Sequence, residues 1–418
     1  MRTADVLFGA AGVGLLIGLT AVGRAEVVAQ TDPTQNVKVP QGFSVSILQG
    51  GIRGPRMMSF GPDGLLYVSL TGDGKIVRLS VADGKASNLE TLKDGLPKPH
   101  GLAWLKSGSD NWLYVAEETR VERYKLGTDG KLGPAEVIVG DIPGGGRHTT
   151  RTVHFGPDGK MYVAVGSSTN KEPESDPRRA AILRYNPDGS VPGDNPFVNS
   201  TDPRRRPIWA EGLRNTVDFL WTKDGQLWAS THGSDNVKLK PSDPPDIQPY
   251  EKLINVVEKG KNYGWPYCIP ATLGVNTPND KQIPDPTVPG SANYGCSSAT
   301  KAAPPLFTTV AHAAPLGMAW GTDSNFPAEY KNSLYIAEHG SWNTDNPETY
   351  RDCKVDRVVL EGGRPTKVEA FATFKRGVNE KCGDAWGRPA GIVFAPDGSM
   401  LIADDGGNRI VRVAYSGG

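Results

Sequence analysis

Cysteine is scarce in this chain: Cys268, Cys296, Cys353 and Cys382 are the only four in 418 residues. None stands in a CxxC or CxxCH spacing, which sets aside zinc, a thiol redox motif and covalent haem attachment. They fit an oxidising compartment, and neighbour pairing, Cys268 with Cys296 and Cys353 with Cys382, is the expectation among three possible connectivities. Net charge is lacking as well. The 46 Lys and Arg balance 46 Asp and Glu, so nothing in the overall charge recruits nucleic acid or an anionic membrane. Any charge-based function must be local. No GxGxxG follows a strand and opens a helix, which disfavours a nicotinamide cofactor. The one long apolar run, Val6 to Val22, lies behind Arg2 and ahead of small residues at Gly23-Arg24-Ala25 and Val27-Val28-Ala29. Residues 1–25 therefore read as an export signal, with an uncleaved anchor as the alternative because the run is near the shortest that spans a bilayer. Residues 26–37 read as a linker. Either way the remainder works outside the cytoplasm, periplasmic or secreted, and meets a membrane only through an uncleaved N-terminus.

What is abundant is turn chemistry. The 51 Gly and 34 Pro favour tight turns over long helices. Six hairpins recur, each an apolar strand, a turn and a Tyr-, Trp- or Leu-rich strand. They are RMMSFGPDGLLYVSL from Arg56, HGLAWLKSGSDNWLYVAEE from His100, RTVHFGPDGKMYVAVGS from Arg151, RNTVDFLWTKDGQLWASTHG from Arg214, LGMAWGTDSNFPAEYKNSLYIAEHG from Leu316 and RPAGIVFAPDGSMLIADDGGN from Arg388. Tyr67, Tyr114, Tyr162, Trp228, Tyr335 and Leu401 are equivalent, and their spacings of 47, 48, 66, 107 and 66 residues suit four-stranded blades with loops. The pattern predicts an all-β, six-bladed β-propeller over residues 38–418. FSVSIL from Phe43 is expected to complete the sheet of the C-terminal RIVRVAY. The Pro-rich interval 238–306, with two cysteines, is too long for an ordinary connection and is expected to be a cystine-tied insertion on the active-site face.

Successive strands of a blade are antiparallel, so innermost-strand entrances and second-strand exits share one face of the ring. Arg56, His100, His148 with Arg151, Arg214 with Asn215, and Arg388 then converge on the axis. Ser167, Ser168, His232, Gly233, Ser234, Asp235, His339, Asp404 and Asp405 reach the same rim. Cations gathered in a neutral protein call for a polyanionic ligand, unless each pairs with a loop carboxylate or caps a carbonyl. A calcium-dependent lactonase would bring acidic and amide side chains to the axis instead, and a binding scaffold would need no such convergence.

At these residues the chain resembles the soluble quinoprotein sugar dehydrogenases, the glucose/sorbosone dehydrogenase family. The resemblance is densest in HTTRTVHFGPDGKMYVAVG, EGLRNTVDF, STHGSD, EKLINVVEKGKNYGWP and GRPAGIVFAPDG; LRN, KNYGWP and EHGSWN look most like the sorbosone branch. It implies a six-bladed propeller using pyrroloquinoline quinone (PQQ) and calcium. The family's general base falls on His148. Its Arg-Asn pair falls on Arg214 and Asn215, the former also stabilising the reduced quinone. Its calcium carbonyls fall on Gly233 and Ser234, and its late arginine on Arg388. His339 stands near the family's cofactor lysine, and Arg56 and Arg151 join the cofactor set by position, as His100, His232 and Asp235 join the substrate set. Ser167 replaces the carboxylate that orients the base in the glucose enzymes, and Val217 replaces a glutamine after the Arg-Asn pair. The implied partners are a small sugar or aldehyde and a separate electron acceptor, either a cytochrome, a quinone or a dye. His154, inside an alternating strand, is expected to pack.

Overall fold

The computed structural model describes residues 32–244, 247–277, 279–341, 344, 353–374 and 380–417; the expected signal segment lies outside them. No helix among the described residues is long and apolar enough to cross a membrane.

The chain folds as a six-bladed propeller of antiparallel sheets. Blade one comprises Pro55–Phe60, Leu66–Leu70, Lys75–Ala82 and Lys85–Lys93; blade two comprises Leu102–Ser107, Asp110–Ala116, Val121–Lys125 and Glu136–Val139. Blade three is built from Arg151–Phe155, Met161–Val165, Ala181–Tyr185 and Ile208–Glu211. Blade four uses Phe219–Trp221, Leu227–Thr231, Glu251–Val257 and Phe307–Thr309, extended by Gly274–Val275. Pro315–Trp320, Ser333–Glu338, Lys354–Glu361 and Arg364–Thr373 form blade five. In blade six, Pro389–Phe394, Met400–Asp404 and Arg409–Tyr415 are completed by Phe43–Gly50, which pairs with Arg409–Tyr415 from Phe43 opposite Tyr415 to Gly50 opposite Arg409.

The second strands are apolar because a neighbouring blade covers each of their faces. Met161–Val165, Leu227–Thr231 and Met400–Asp404 are buried at every position. Hydrophobic clusters between successive blades form the core. Leu66 and Val68 meet Leu401 and Ala403 between blades one and six, and Tyr335 and Phe371 meet Ile392 and Phe394 between five and six.

The Gly-Pro-Asp-Gly turns add a polar tie. Asp158 accepts from the Tyr162 hydroxyl at 3.0 Å and from Arg184 at 2.8 Å, joining the turn to the second and third strands. Asp63 does the same for Tyr67 at 2.8 Å and Arg78 at 3.2 Å. Near the axis the blades approach so closely that a Cβ at Gly101 would stand 2.5 Å from the Val153 nitrogen. Glycine is the residue that fits there.

The interval 238–306 is not one insertion. Glu251–Val257 is the third strand of blade four, so the irregular segment runs over 258–306, between the third and fourth strands. It holds the hairpin of Cys268–Pro270 with Gln282–Pro284. The sulfurs are bonded Cys268 to Cys296 and Cys353 to Cys382.

Phe43 clasps the ring. Its side chain meets Phe326, Tyr330 and Phe371 edge-on at 4.9, 5.0 and 5.1 Å, and Tyr415 at 5.2 Å. Because Phe43 is only partly buried, Phe43→Ala is expected to cost about 2 kcal/mol, somewhat less than truncating a fully buried phenylalanine, read from the midpoint of denaturant unfolding. A loss below about 1 kcal/mol, ordinary for a surface change, would show that the ring closes without it.

Candidate active site

The face bearing the inner-strand entrances holds a cavity of about 740 Å³. Arg56, His148, Arg214, Asn215 and Arg388 reach it from those entrances, and His232, Gly233, Asp235 and His339 from second-strand exits. Val217, just before blade four, and Leu316, in the innermost strand of blade five, line it too and join the apolar cluster that holds Leu66 and Leu401.

His148 has a defined tautomer. Its Nδ1 lies 2.9 Å from both the carbonyl oxygen and the hydroxyl of Ser167. That hydroxyl spends its proton on the Thr169 carbonyl at 2.7 Å, so both Ser167 oxygens accept and Nδ1 carries the ring proton. The neutral imidazole is left with a lone pair on Nε2, which has no hydrogen-bond partner among the described residues. Burial first, then the Arg214 guanidinium and His232, push this imidazole down to about 2. The Ser167 amide donates to the Arg214 carbonyl at 2.7 Å, tying the support of His148 to the neighbouring entrance. Between them, a Cβ on Gly166 would meet both His148 Cβ and Asn215 Oδ1 at 2.5 Å.

The loop before His148 is held by its main chain. The Arg147 amide donates to the Ser168 carbonyl at 2.9 Å, the Gly145 amide to Glu118 at 2.7 Å, and Arg179 caps the Gly144 carbonyl. Arg151 completes this hold and corrects the cofactor contact expected of it. Its buried guanidinium donates to the carbonyls of Pro143, His148 and Thr150 at 2.7, 2.9 and 2.7 Å, and it does not line the cavity. Arg151 opens its strand, and its side chain folds back onto the carbonyls of the preceding loop instead of entering the mouth. His100 also departs from expectation: it is wholly buried behind the cavity wall, with Nδ1 3.3 Å from the Thr152 hydroxyl. Ser234 is buried next to Gly233 without lining the cavity.

The other two expected histidines are engaged. Asn215 donates its amide to His232 Nδ1 at 3.1 Å, and His232 Nε2 donates to the Pro315 carbonyl at 2.8 Å, so both ring nitrogens are used. His339 Nε2 lies 2.7 Å from Asp405. Burial pushes both imidazoles down to about 4. His154 lies 2.7 Å from Asp218 and packs edge-on against Phe219, away from the cavity.

The arginines each have partners as well as a place in the wall. Arg56 pairs with Asp405 at 2.5 Å. Arg388 donates to the carbonyls of His339 and Gly340 at 3.0 and 3.1 Å. Arg214 donates to the Asn170 carbonyl and side-chain oxygen at 3.1 and 2.8 Å and stands 3.5 Å from Asp235. Asn215 Oδ1 is buried with no hydrogen-bond partner.

Among the wall residues that escaped the sequence reading, three are titratable. His312 lines the cavity at a φ of 62°, three residues before the innermost strand of blade five begins at Pro315. His148 stands at the same offset from Arg151, and that shared offset was the signal. Arg147, beside the base, carries a fourth guanidinium into the wall. Glu251 accepts the Gly233 amide from beneath, and burial pushes its carboxyl up to about 8. The 258–306 segment comes near through Trp265, whose indole donates to the Asn170 carbonyl at 3.3 Å. No group of three or more His, Cys, Asp and Glu side chains among the described residues could hold a metal.

The chain is 30% identical over 404 residues to an uncharacterised protein of Borreliella burgdorferi, covering 93% of each. It is 26% identical over 409 residues to the aldose sugar dehydrogenase YliI of Escherichia coli, covering 90% of this chain and 94% of that one. The holo form of the pyranose dehydrogenase PQQ domain from Coprinopsis cinerea has the same fold, with a TM-score of 0.73 and 20% identity over 92% of this chain and 98% of that one. The TrAA12-like family profile matches residues 37–416, nearly the whole propeller, and the chain belongs to that family.

Proposed function

We propose that this protein oxidises an aldose or a sorbosone-like sugar aldehyde with PQQ and calcium, His148 acting as general base. One observation carries the reading: an imidazole with its lone pair held on Nε2, in a cavity walled by four guanidinium groups. The relatives' names, aldose sugar dehydrogenase and pyranose dehydrogenase PQQ domain, support the same class.

The residues present fit a tricarboxylate quinone. Arg56, Arg214 and Arg388 offer charge, and the buried, unpartnered Asn215 Oδ1 marks a polar wall awaiting a donor. Calcium would sit at the Gly233 and Ser234 main-chain carbonyls, on a loop that Glu251 fixes through the Gly233 amide. When bound, the quinone supplies the two-electron acceptor and the metal polarises its carbonyl.

The chain's own residues do the rest. Nε2 of His148 takes a hydroxyl proton from the aldose, or from the hydrate of the aldehyde, while the C–H electron pair leaves the same carbon as hydride and a C=O bond forms. Through Nδ1–H, both Ser167 oxygens stabilise the charge arriving on the ring. After burial, Arg214 is the largest cause of the low basicity of His148; an anion held against Arg214 cancels that charge and raises the imidazole toward the range where a base works. A separate cytochrome, quinone or dye must then reoxidise the cofactor, outside the cytoplasm if the N-terminal segment directs export.

The tautomer can be tested without cofactor. Nitrogen-15 NMR of the free protein should show His148 protonated on Nδ1 at pH 7, with the rings of His100, His148, His232 and His339 not titrating between pH 8 and 5. Burial pushes His100 down to about 3, and the others as given above. Unfolded, these rings take a proton near pH 6.5. They therefore bind fewer protons folded than unfolded below that pH, and their contribution to stability falls as pH falls.

His148→Ala, loaded with PQQ and calcium, should retain cofactor yet lose about 100-fold or more in single-turnover quinone reduction with an aldose, as removal of a positioned base does. A rate within about threefold of the unsubstituted protein would remove His148 from the chemistry. Arg214→Ala should weaken cofactor binding by at least about 1.5 kcal/mol, one charge-assisted hydrogen bond, in a calorimetric titration.

A further inference from the structure

The four guanidinium groups of the cavity are not alike. Arg56 and Arg214 are 18% and 4% exposed, fixed against Asp405 and Asn170, and Arg388 is fixed on two carbonyls. The Arg147 side chain is 54% exposed, and its one ionic contact among the described residues, Asp235, is long at 3.4 Å. Its main chain, in contrast, is firmly placed by the Ser168 carbonyl behind it and by Arg151, Arg179 and Glu118 beneath the loop. A fixed backbone carrying an open, rigid donor fork next to the base is built to meet something in the cavity.

Charge identifies what it would meet. Among the described residues, four guanidiniums against Asp235 and Asp405, with the Glu251 carboxyl kept protonated by burial, leave +2 (4 − 2) around the cavity. Three cofactor carboxylates and one calcium add −1, so +1 remains after the cofactor is in place. That surplus lies on the one guanidinium not already committed to short protein contacts. A neutral sugar would leave it uncompensated; a carboxylate would match its planar, two-pronged geometry.

We propose that Arg147 selects anionic sugars of the uronate class, binding the substrate's carboxylate while the reacting carbon lies at His148. The inference rests on the PQQ-dependent reading above and names the substrate class for that same site. Asp235, at 3.4 Å, gives way to the substrate carboxylate on this guanidinium while keeping its contact with Arg214 at 3.5 Å.

The test uses probes that lack the anomeric hydroxyl and cannot be oxidised there: 1,5-anhydroglucuronate and neutral 1,5-anhydroglucitol. Cofactor uptake is first read by absorbance on protein mixed with PQQ and calcium, and calorimetry then measures both probes. The unsubstituted protein should prefer the anion by about tenfold or more, and Arg147→Gln should reduce that ratio by about tenfold, the scale of one charge-assisted hydrogen bond. Arg147→Lys should recover only part of it, because an ammonium keeps the charge without the fork. Equal affinity for the two probes, or an unchanged ratio in Arg147→Gln, overturns the inference while leaving the oxidation of sugars standing. Failure to take up cofactor overturns that reading and the inference with it.

Discussion

Antiparallel pairing of Phe43–Gly50 with Arg409–Tyr415 fixes the geometry of everything at the axis. Most cavity wall residues ride on connections between blades or on second-strand exits, and they come from several blades, so no single blade contains a site. Arg56 belongs to the first blade, His148 precedes the third, Arg214 precedes the fourth and Arg388 the sixth. Their separations hold only while the ring is closed, and closure depends on two segments from opposite ends of the propeller meeting. The interblade apolar layers supply most of the burial; the closing strand decides that six blades, and not an open arc, are the stable arrangement.

Within the ring, one set of charges performs two tasks. Guanidinium groups gathered at the axis attract anions, and the same burial and cationic field keep the nearby imidazoles neutral. A histidine that stays unprotonated beside an arginine retains its lone pair. The arginines in turn are kept from repelling one another by Asp235, Asp405 and a series of main-chain carbonyls.

The blades were readable from the chain because their signals are local. Gly-Pro-Asp-Gly closes the hairpin and its aspartate ties Tyr162 and Arg184, while burial on both faces makes the second strands mostly apolar. The third strand of blade four was hidden in the interval 238–306 because Glu251 and Lys252 make its start look like loop. Both are buried against main-chain partners, the Gly233 amide and the Tyr263 carbonyl, that only the tertiary fold brings near. Arg151 shows the converse limit: a sequence places a guanidinium at an entrance but does not say whether carbonyls or a ligand will receive it. The support of His148 was equally invisible, since a serine offers no charge and acts here through its carbonyl as much as its hydroxyl.

The 258–306 segment is stitched to two blades at once. Its start runs beside the last strand of blade three, with the Glu211 amide donating to the Lys261 carbonyl and the Tyr263 amide returning to Glu211. Its end leads into the fourth strand of blade four, and Gln282 donates to the carbonyls of Tyr263 and Ala303 inside it. A hinged lid would have to break that main-chain pairing each time it swung. The segment is therefore a rigid buttress between the blades it joins, not a door.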